Sequence, residues 1–268
     1  MSGILVDGLI PGLVSVTFRT LSAEAVISLA AEAGLGAVEW GGDVHVPAGA
    51  LATAERVRER SADAGLEIAA YGSYHRAGQS DPADFAAVAD TAAALGAPTV
   101  RVWAGVHGSA QTGPAERAAV VTGIRSAADA AAARGLRIAL EYHRNTLTDT
   151  LESALRLLDE VDRPTVLPYW QPARGAAVGP SRAEVAALLG KGLRTAHVFS
   201  WAADGTRLPL EARADLWRPV LADLTGPAAS LASGRRRYAM LEFVAGDEPA
   251  AFARDAATLC SWLAHPEI

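Results

Sequence analysis

The chain has 268 residues, 50% hydrophobic and 20% charged, with a formal net charge of −6. That is ample apolar material for a large core and too little charge for a disordered chain, and the length suits one α/β barrel of about 250 residues. There is no basic surplus to neutralise a phosphate backbone, so nucleic acid is not an expected partner. No apolar run reaches the roughly 18 residues of a membrane span. Met1 to Asp7 shows no basic region followed by an apolar run, so the chain reads as a cytoplasmic protein with no membrane partner. Cys260 is the only cysteine and falls in a helical pattern, where a buried structural thiol is expected.

Taken in order, the chain repeats one phrase: an Ala-rich helical pattern ends in Gly, and an apolar strand follows. It occurs at Ala33-Gly34-Leu35, Ala64-Gly65-Leu66, Leu95-Gly96-Ala97, Arg134-Gly135-Leu136 and Lys191-Gly192-Leu193. Gly is wanted there because the residue after a helix often takes φ > 0. Strands are expected at Gly12–Phe18, Ala37–Trp40, Glu67–Tyr71, Thr99–Trp103, Arg137–His143, Thr165–Tyr169, Arg194–Phe199 and Tyr238–Phe243. Helices are expected at about 22–33, 50–64, from Asp81-Pro82, 114–134, 149–161, from Ser181 with a capping box to Glu184, 211–221 and 248–264. Eight strand–helix units predict a single (β/α)8 barrel domain over residues 1–268. A doubly wound sheet is the structural alternative, but no Gly-x-Gly-x-x-Gly follows the first strand.

In a barrel every strand end points to one mouth. Five of the six histidines, His45, His75, His107, His143 and His197, lie in or just after strands, as do Trp40, Trp103, Trp170 and Trp201. Trp217 and Trp262 are expected to serve ordinary packing. Within Arg137-Ile138-Ala139-Leu140-Glu141-Tyr142-His143 an apolar strand runs into a carboxylate, a charge that does not belong in the packed interior. Glu141, Gln171, His197 and Glu242, from four adjacent strands, form a candidate set of ligands for one divalent ion, Mn²⁺, Mg²⁺ or Co²⁺. The competing reading pairs the two carboxylates with arginines and leaves His197 as a core histidine. Gln171 is the weak member, since a neutral amide is a poor ligand. Arg19, His75, Trp103, His143 and Arg207 are candidate substrate contacts. Arg235-Arg236-Arg237 precedes the last strand and reads as a solvated surface run.

The segments Val38-Glu39-Trp40-Gly41-Gly42-Asp43-Val44-His45, Tyr71-Gly72-Ser73-Tyr74, Arg101-Val102-Trp103-Ala104-Gly105, Leu140-Glu141-Tyr142-His143, Tyr169-Trp170-Gln171-Pro172, His197-Val198-Phe199 and Leu241-Glu242-Phe243 resemble the xylose isomerase-like barrels of sugar (phosphate) isomerases and epimerases. The resemblance covers nearly the whole chain. It implies one divalent metal held by Glu, Asp, His and Glu on strands 5 to 8. Glu141, His197 and Glu242 match, and Gln171 stands where Asp is usual. It also implies a carbohydrate substrate, a possible homo-oligomer, and isomerisation or epimerisation through a metal-stabilised enediolate, with Glu141 and Glu242 as the catalytic proton carriers. A lyase is the alternative, either a dehydratase or a carbon-glycoside deglycosidase. An apurinic endonuclease and a metal-free binding protein are more distant rivals.

Overall fold

The computed structural model describes residues 9–226 and 236–265. The expectations placed on Met1–Asp7 and Arg235 fall outside them. In chain order the strands are β1 (Leu9–Val14), β2 (Ala37–Gly41), β3 (Glu67–Arg76), β4 (Thr99–Trp103), β5 (Arg137–Glu141), β6 (Val166–Tyr169), β7 (Thr195–Val198), β8 (Ser200–Trp201), β9 (Arg207–Leu208) and β10 (Arg237–Leu241). The helices are α1 (Ala23–Glu32), α2 (Leu51–Asp63), α3 (Phe85–Leu95), α4 (Pro114–Ala132), α5 (Leu151–Val161), α6 (Val178–Leu189), α7 (Ala214–Thr225) and α8 (Pro249–Ala264). Eight strands make one sheet in the order β6-β5-β4-β3-β2-β1-β10-β7, and β8 and β9 form a separate antiparallel hairpin.

The chain divides into two compact units. The first comprises residues up to Glu39, 60–67 and from Pro172 onward; the second comprises Trp40–Glu59 and Ile68–Gln171.

In the first unit β1 lies between two parallel neighbours, pairing Leu9–Leu13 with Arg237–Leu241 of β10 and Gly12–Val14 with Ala37–Glu39 of β2. A Cβ on Gly12 would come within 2.6 Å of the Met240 side chain and 2.7 Å of the Ala37 carbonyl, so only glycine lets the three strands close up. The expected first strand stops early. Ser15–Phe18 coil into a buried 3₁₀ turn that seats Phe18 edge-on against Phe252 of α8, at 5.6 Å. α6 begins at Val178, three residues before Ser181, so Ser181 is a buried helix residue and the expected capping box does not form. The helix expected from Glu211 is a 3₁₀ turn, Leu210–Arg213, running into α7, which carries Pro219 inside it.

Arg237 corrects the solvated-run reading. It is 4% exposed and donates to the carbonyls of Leu193 and Leu224, while burial pulls its pKa down. A guanidinium satisfies several buried carbonyls at once, so its position in the run does not make it a surface residue. Cys260 is half-buried, with its thiol pKa pushed up by burial. Trp217 is buried and donates from Nε1 to the Phe199 carbonyl at 2.8 Å, and Trp262 is 5% exposed, in keeping with packing roles.

In the second unit β3, β4, β5 and β6 pair in parallel. Ala70 and Ala139 are small enough to leave room for the Tyr169 ring beside them. β3 runs five residues past its expected end, through an irregularity between Gly72 and Arg76, so His75 is a strand residue. Ahead of α3 the Asp81 carboxylate caps the amide of Ala83 at 2.9 Å, as the Asp-Pro pair suggested, but the first turn is 3₁₀. All five glycine joints have positive φ, from 73° to 89°. The joint after α5 uses Asp162 at φ 49°, which no glycine announced.

Candidate active site

Each unit holds one cluster of ionisable groups at the carboxyl ends of its strands. In the second unit the centre is Glu141, the last residue of β5, 4% exposed. Arg101 Nη1 and Trp103 Nε1 both donate to its Oε2, and Gln171 Nε2 donates to its Oε1 at 3.1 Å. The register explains the convergence. Arg101 pairs with Ala139, and alternate residues of a strand share a face, so Arg101 and Trp103 of β4 lie beside Ala139 and Glu141 of β5. Arg101 is 3% exposed, and a guanidinium that deep requires a carboxylate. Thr148 donates to the Glu141 carbonyl and fixes the chain just past the strand.

Trp103 is held on several sides. His143 stacks on it at 5.4 Å and 23°, Arg76 lies 3.8 Å from its centroid, and Tyr74 meets it edge-on at 5.7 Å. Burial lowers the Arg76 pKa, and the charge of Glu141 works against that. His143 donates from Nδ1 to the Arg144 carbonyl at 2.5 Å. His75 is 6% exposed, edge-on to Phe85 at 4.9 Å, and burial lowers its pKa against the opposing charge of Asp84. Trp40 and Trp170 are fully buried, so neither offers an open ring face. His45 is 6% exposed, and His107, in the loop after β4, pairs with Glu116 in the first turn of α4.

In the first unit His197 of β7 is fully buried between two carboxylates. Its Nε2 donates to Glu39 Oε2 at 3.1 Å, and its Nδ1 stands 3.4 Å from Glu242 Oε2. Glu39 ends the pairing of β2 with β1, at Val14, and Glu242 follows β10 with its amide on the Val198 carbonyl at 3.0 Å. Arg207 is paired with Asp247, and Arg19, exposed, donates to the Val16 carbonyl at 3.1 Å.

The donor set fits a divalent ion by its chemistry. With the proton of His197 on Nε2, its Nδ1 is an acceptor facing a carboxylate oxygen 3.4 Å away, and two acceptors at that distance ask for a proton or a cation. Among the described residues no three His, Cys, Asp or Glu groups already surround a common point at ion-binding spacing. Glu39 and Arg101 were absent from the candidate set, although the sequence marks both: each is a charge in the middle of an apolar strand, Ala-Val-Glu-Trp and Thr-Val-Arg-Val-Trp.

The family described as xylose isomerase-like TIM barrel matches residues 27–201. The chain belongs to that family, and its fold class is the expected α/β barrel. A stretch of 67 residues is 45% identical to a 3-dehydroshikimate dehydratase of Bacillus anthracis, and it spans 25% of this chain and 24% of that protein. The crystal structure of AsbF, a probable 3-DHS dehydratase of petrobactin synthesis in Bacillus anthracis, aligns with TM-score 0.74 and 22% identity over 94% of this chain and 98% of that one. A D-psicose 3-epimerase structure determined in the presence of D-fructose aligns with TM-score 0.67 and 15% identity, over 95% of this chain and 98% of that one. A barrel protein of Mycobacterium smegmatis in complex with magnesium aligns with TM-score 0.67 and 17% identity over all of both chains. Among the described residues no helix is long and apolar enough to cross a membrane.

Proposed function

We propose that the chain is a divalent-metal-dependent lyase of the dehydratase class, acting on a small polyhydroxylated ketone. Glu141, Gln171, His197 and Glu242 are the residues that would hold the ion, with Glu39 orienting His197. The ion, when bound, supplies Lewis acidity to the substrate carbonyl. Glu242 takes the proton from the carbon beside that carbonyl, the C–H electron pair becomes the new double bond, and the C–O bond on the next carbon breaks as Glu242 returns that proton to the leaving hydroxyl, which departs as water.

One observation carries the choice of elimination over isomerisation. Glu141 accepts from Arg101, Trp103 and Gln171 together, an environment for an ionised, acceptor-only carboxylate. An epimerase asks one carboxylate to take a proton and a second to deliver one to the opposite face, so both must change protonation state. Elimination asks this of one base. The stretch 45% identical to a 3-dehydroshikimate dehydratase supports the same reading. Epimerisation of a keto-sugar, the reaction class named for the D-psicose 3-epimerase, is the second reading, supported by fold alone.

The test is product mass. The protein, stripped with chelator and reloaded with Mn²⁺ or Mg²⁺, is incubated with 3-dehydroshikimate and with a panel of ketohexoses. A metal-dependent product lighter by one water supports the proposal. An isobaric product moves the assignment to the isomerase, and no conversion of any panel member contradicts both.

A further inference from the structure

Outside the two clusters, the first unit carries a platform of aromatic and cationic side chains on the segments that follow β6, β7 and β10. Trp201, on the β8–β9 hairpin, has its ring 5.1 Å from that of Phe199 and 5.8 Å from that of Phe243. Phe199 and Phe243 come two residues after His197 and one after Glu242, so the platform continues directly from the strand ends that bear those donors. Phe243 is held at φ 54°, a left-handed conformation that costs a bulky residue energy, with its amide donating to Thr17 Oγ1 at 3.1 Å. Two guanidiniums lie on these rings. Arg174 Cζ is 4.5 Å from the Trp201 centroid, and Arg207 Cζ is 4.9 Å from that of Phe243.

The two arginines differ in charge balance. Arg207 is paired with Asp247. Arg174 has no carboxylate partner among the described residues and is exposed. It is seated by Gly205, where a Cβ would come within 2.8 Å of Nη1 and 3.3 Å of Cζ. Glycine at this position leaves the guanidinium room over the indole. The Trp201 indole N–H is buried and makes no hydrogen bond among the described residues, and a buried donor left idle asks for an explanation. A guanidinium stacked on an aromatic ring keeps its fork of N–H groups in the outward plane, the geometry that takes a carboxylate through two parallel hydrogen bonds.

We infer that Arg174, seated on Trp201, binds the carboxylate of a small ring acid, and that the aromatic faces beside it receive the ring. One uncompensated positive charge matches a monoanion. A phosphate dianion would meet only half its charge there, and a neutral sugar would leave the guanidinium unused. The inference rests on the proposed function for placing the substrate at this end of the strands; the preference for a carboxylate is its own claim.

Calorimetric titration of the metal-loaded protein tests it without turnover. The probes are ring acids that have no water to lose, each against its neutral amide: benzoate against benzamide, and cyclohexanecarboxylate against cyclohexanecarboxamide. The wild type is expected to bind at least one acid about tenfold more tightly than its neutral partner. Arg174→Gln brings that ratio near one and leaves the neutral probe's affinity unchanged, while Arg174→Lys, which keeps the charge but not the fork, retains part of the ratio. Equal affinity for acid and neutral probe in every wild-type pair overturns the inference, as does a ratio that survives Arg174→Gln. The dehydration assay reads something else, so that reaction can fail while the carboxylate preference stands, or the reverse.

Discussion

Replacing Glu39 with Gln removes one negative charge and almost no volume from a fully buried contact. The carboxylate accepts from His197 Nε2 at 3.1 Å, with both side chains closed to solvent. A hydrogen bond of this kind, with one partner charged, contributes about 1.5–3 kcal/mol. If an amide NH₂ takes the place of Oε2, it faces Nε2 with a donor, so the imidazole must accept there and carry its proton on Nδ1. Nδ1 is the nitrogen that faces Glu242 at 3.4 Å, and protonation closes it to an ion. Loss of such an orienting partner typically lowers metal affinity by about 10- to 100-fold, or roughly 1.4–2.8 kcal/mol. If instead the amide turns its oxygen to Nε2, the loss falls at the low end of that range. Mn²⁺ titration by calorimetry, with thermal melting of apo and loaded protein, reads the effect directly. The expected result is weaker binding and a smaller metal-induced rise in Tm than in the wild type. Unchanged affinity in Glu39→Gln would refute the orienting role.

Arg101→Leu leaves the Glu141 carboxylate buried without its ion pair, at a cost of about 3–5 kcal/mol; chemical denaturation is expected to show that loss, and Arg101→Gln a smaller one. The His75 pKa is lowered by burial, so the folded state disfavours its charged form. Below its ordinary value of 6.5 the unfolded chain binds more protons than the folded one, and this group's contribution to stability falls as pH drops toward the lowered folded value. Melting curves across that window are expected to lose part of their acid dependence in His75→Asn. Thr150 caps α5 through Oγ1 on the Ser153 amide at 3.2 Å, so Thr150→Ala is expected to cost about 0.5–2 kcal/mol in the same denaturation measurement.

Much of the barrel was legible because its joints are written in glycine. Five helix-to-strand turns that need positive φ carry Gly, and the strands they introduce lie where the apolar runs predict. The boundaries that slipped have local causes. Ser15–Phe18 reads as a strand by composition and is a buried 3₁₀ turn, because Phe18 must reach Phe252. Ser181 and Glu184 spell a cap, but the helix has already begun at Val178. In the candidate site, the charged residues at strand ends stood out against the apolar runs before them. Charges within the strands do not stand out in this way, and these are the ones that set the electrostatics: Arg101 on Glu141, and Glu39 on His197. A single buried charge looks like noise in a hydropathy pattern. Its meaning comes from its partner, which lies 40 residues away in one pair and 158 in the other.

The proposal that one divalent ion is served by Glu141, Gln171, His197 and Glu242 has a direct measurement. Chelator-treated protein is dialysed against Mn²⁺, and bound metal per chain is determined by elemental analysis for the wild type, Glu141→Gln, His197→Asn and Glu242→Gln. Circular dichroism first establishes that each variant is folded. One ion per wild-type chain, lost or greatly weakened in every variant, is the expected result. A wild-type protein that takes up no ion, or an ion retained at full affinity in Glu141→Gln, contradicts it.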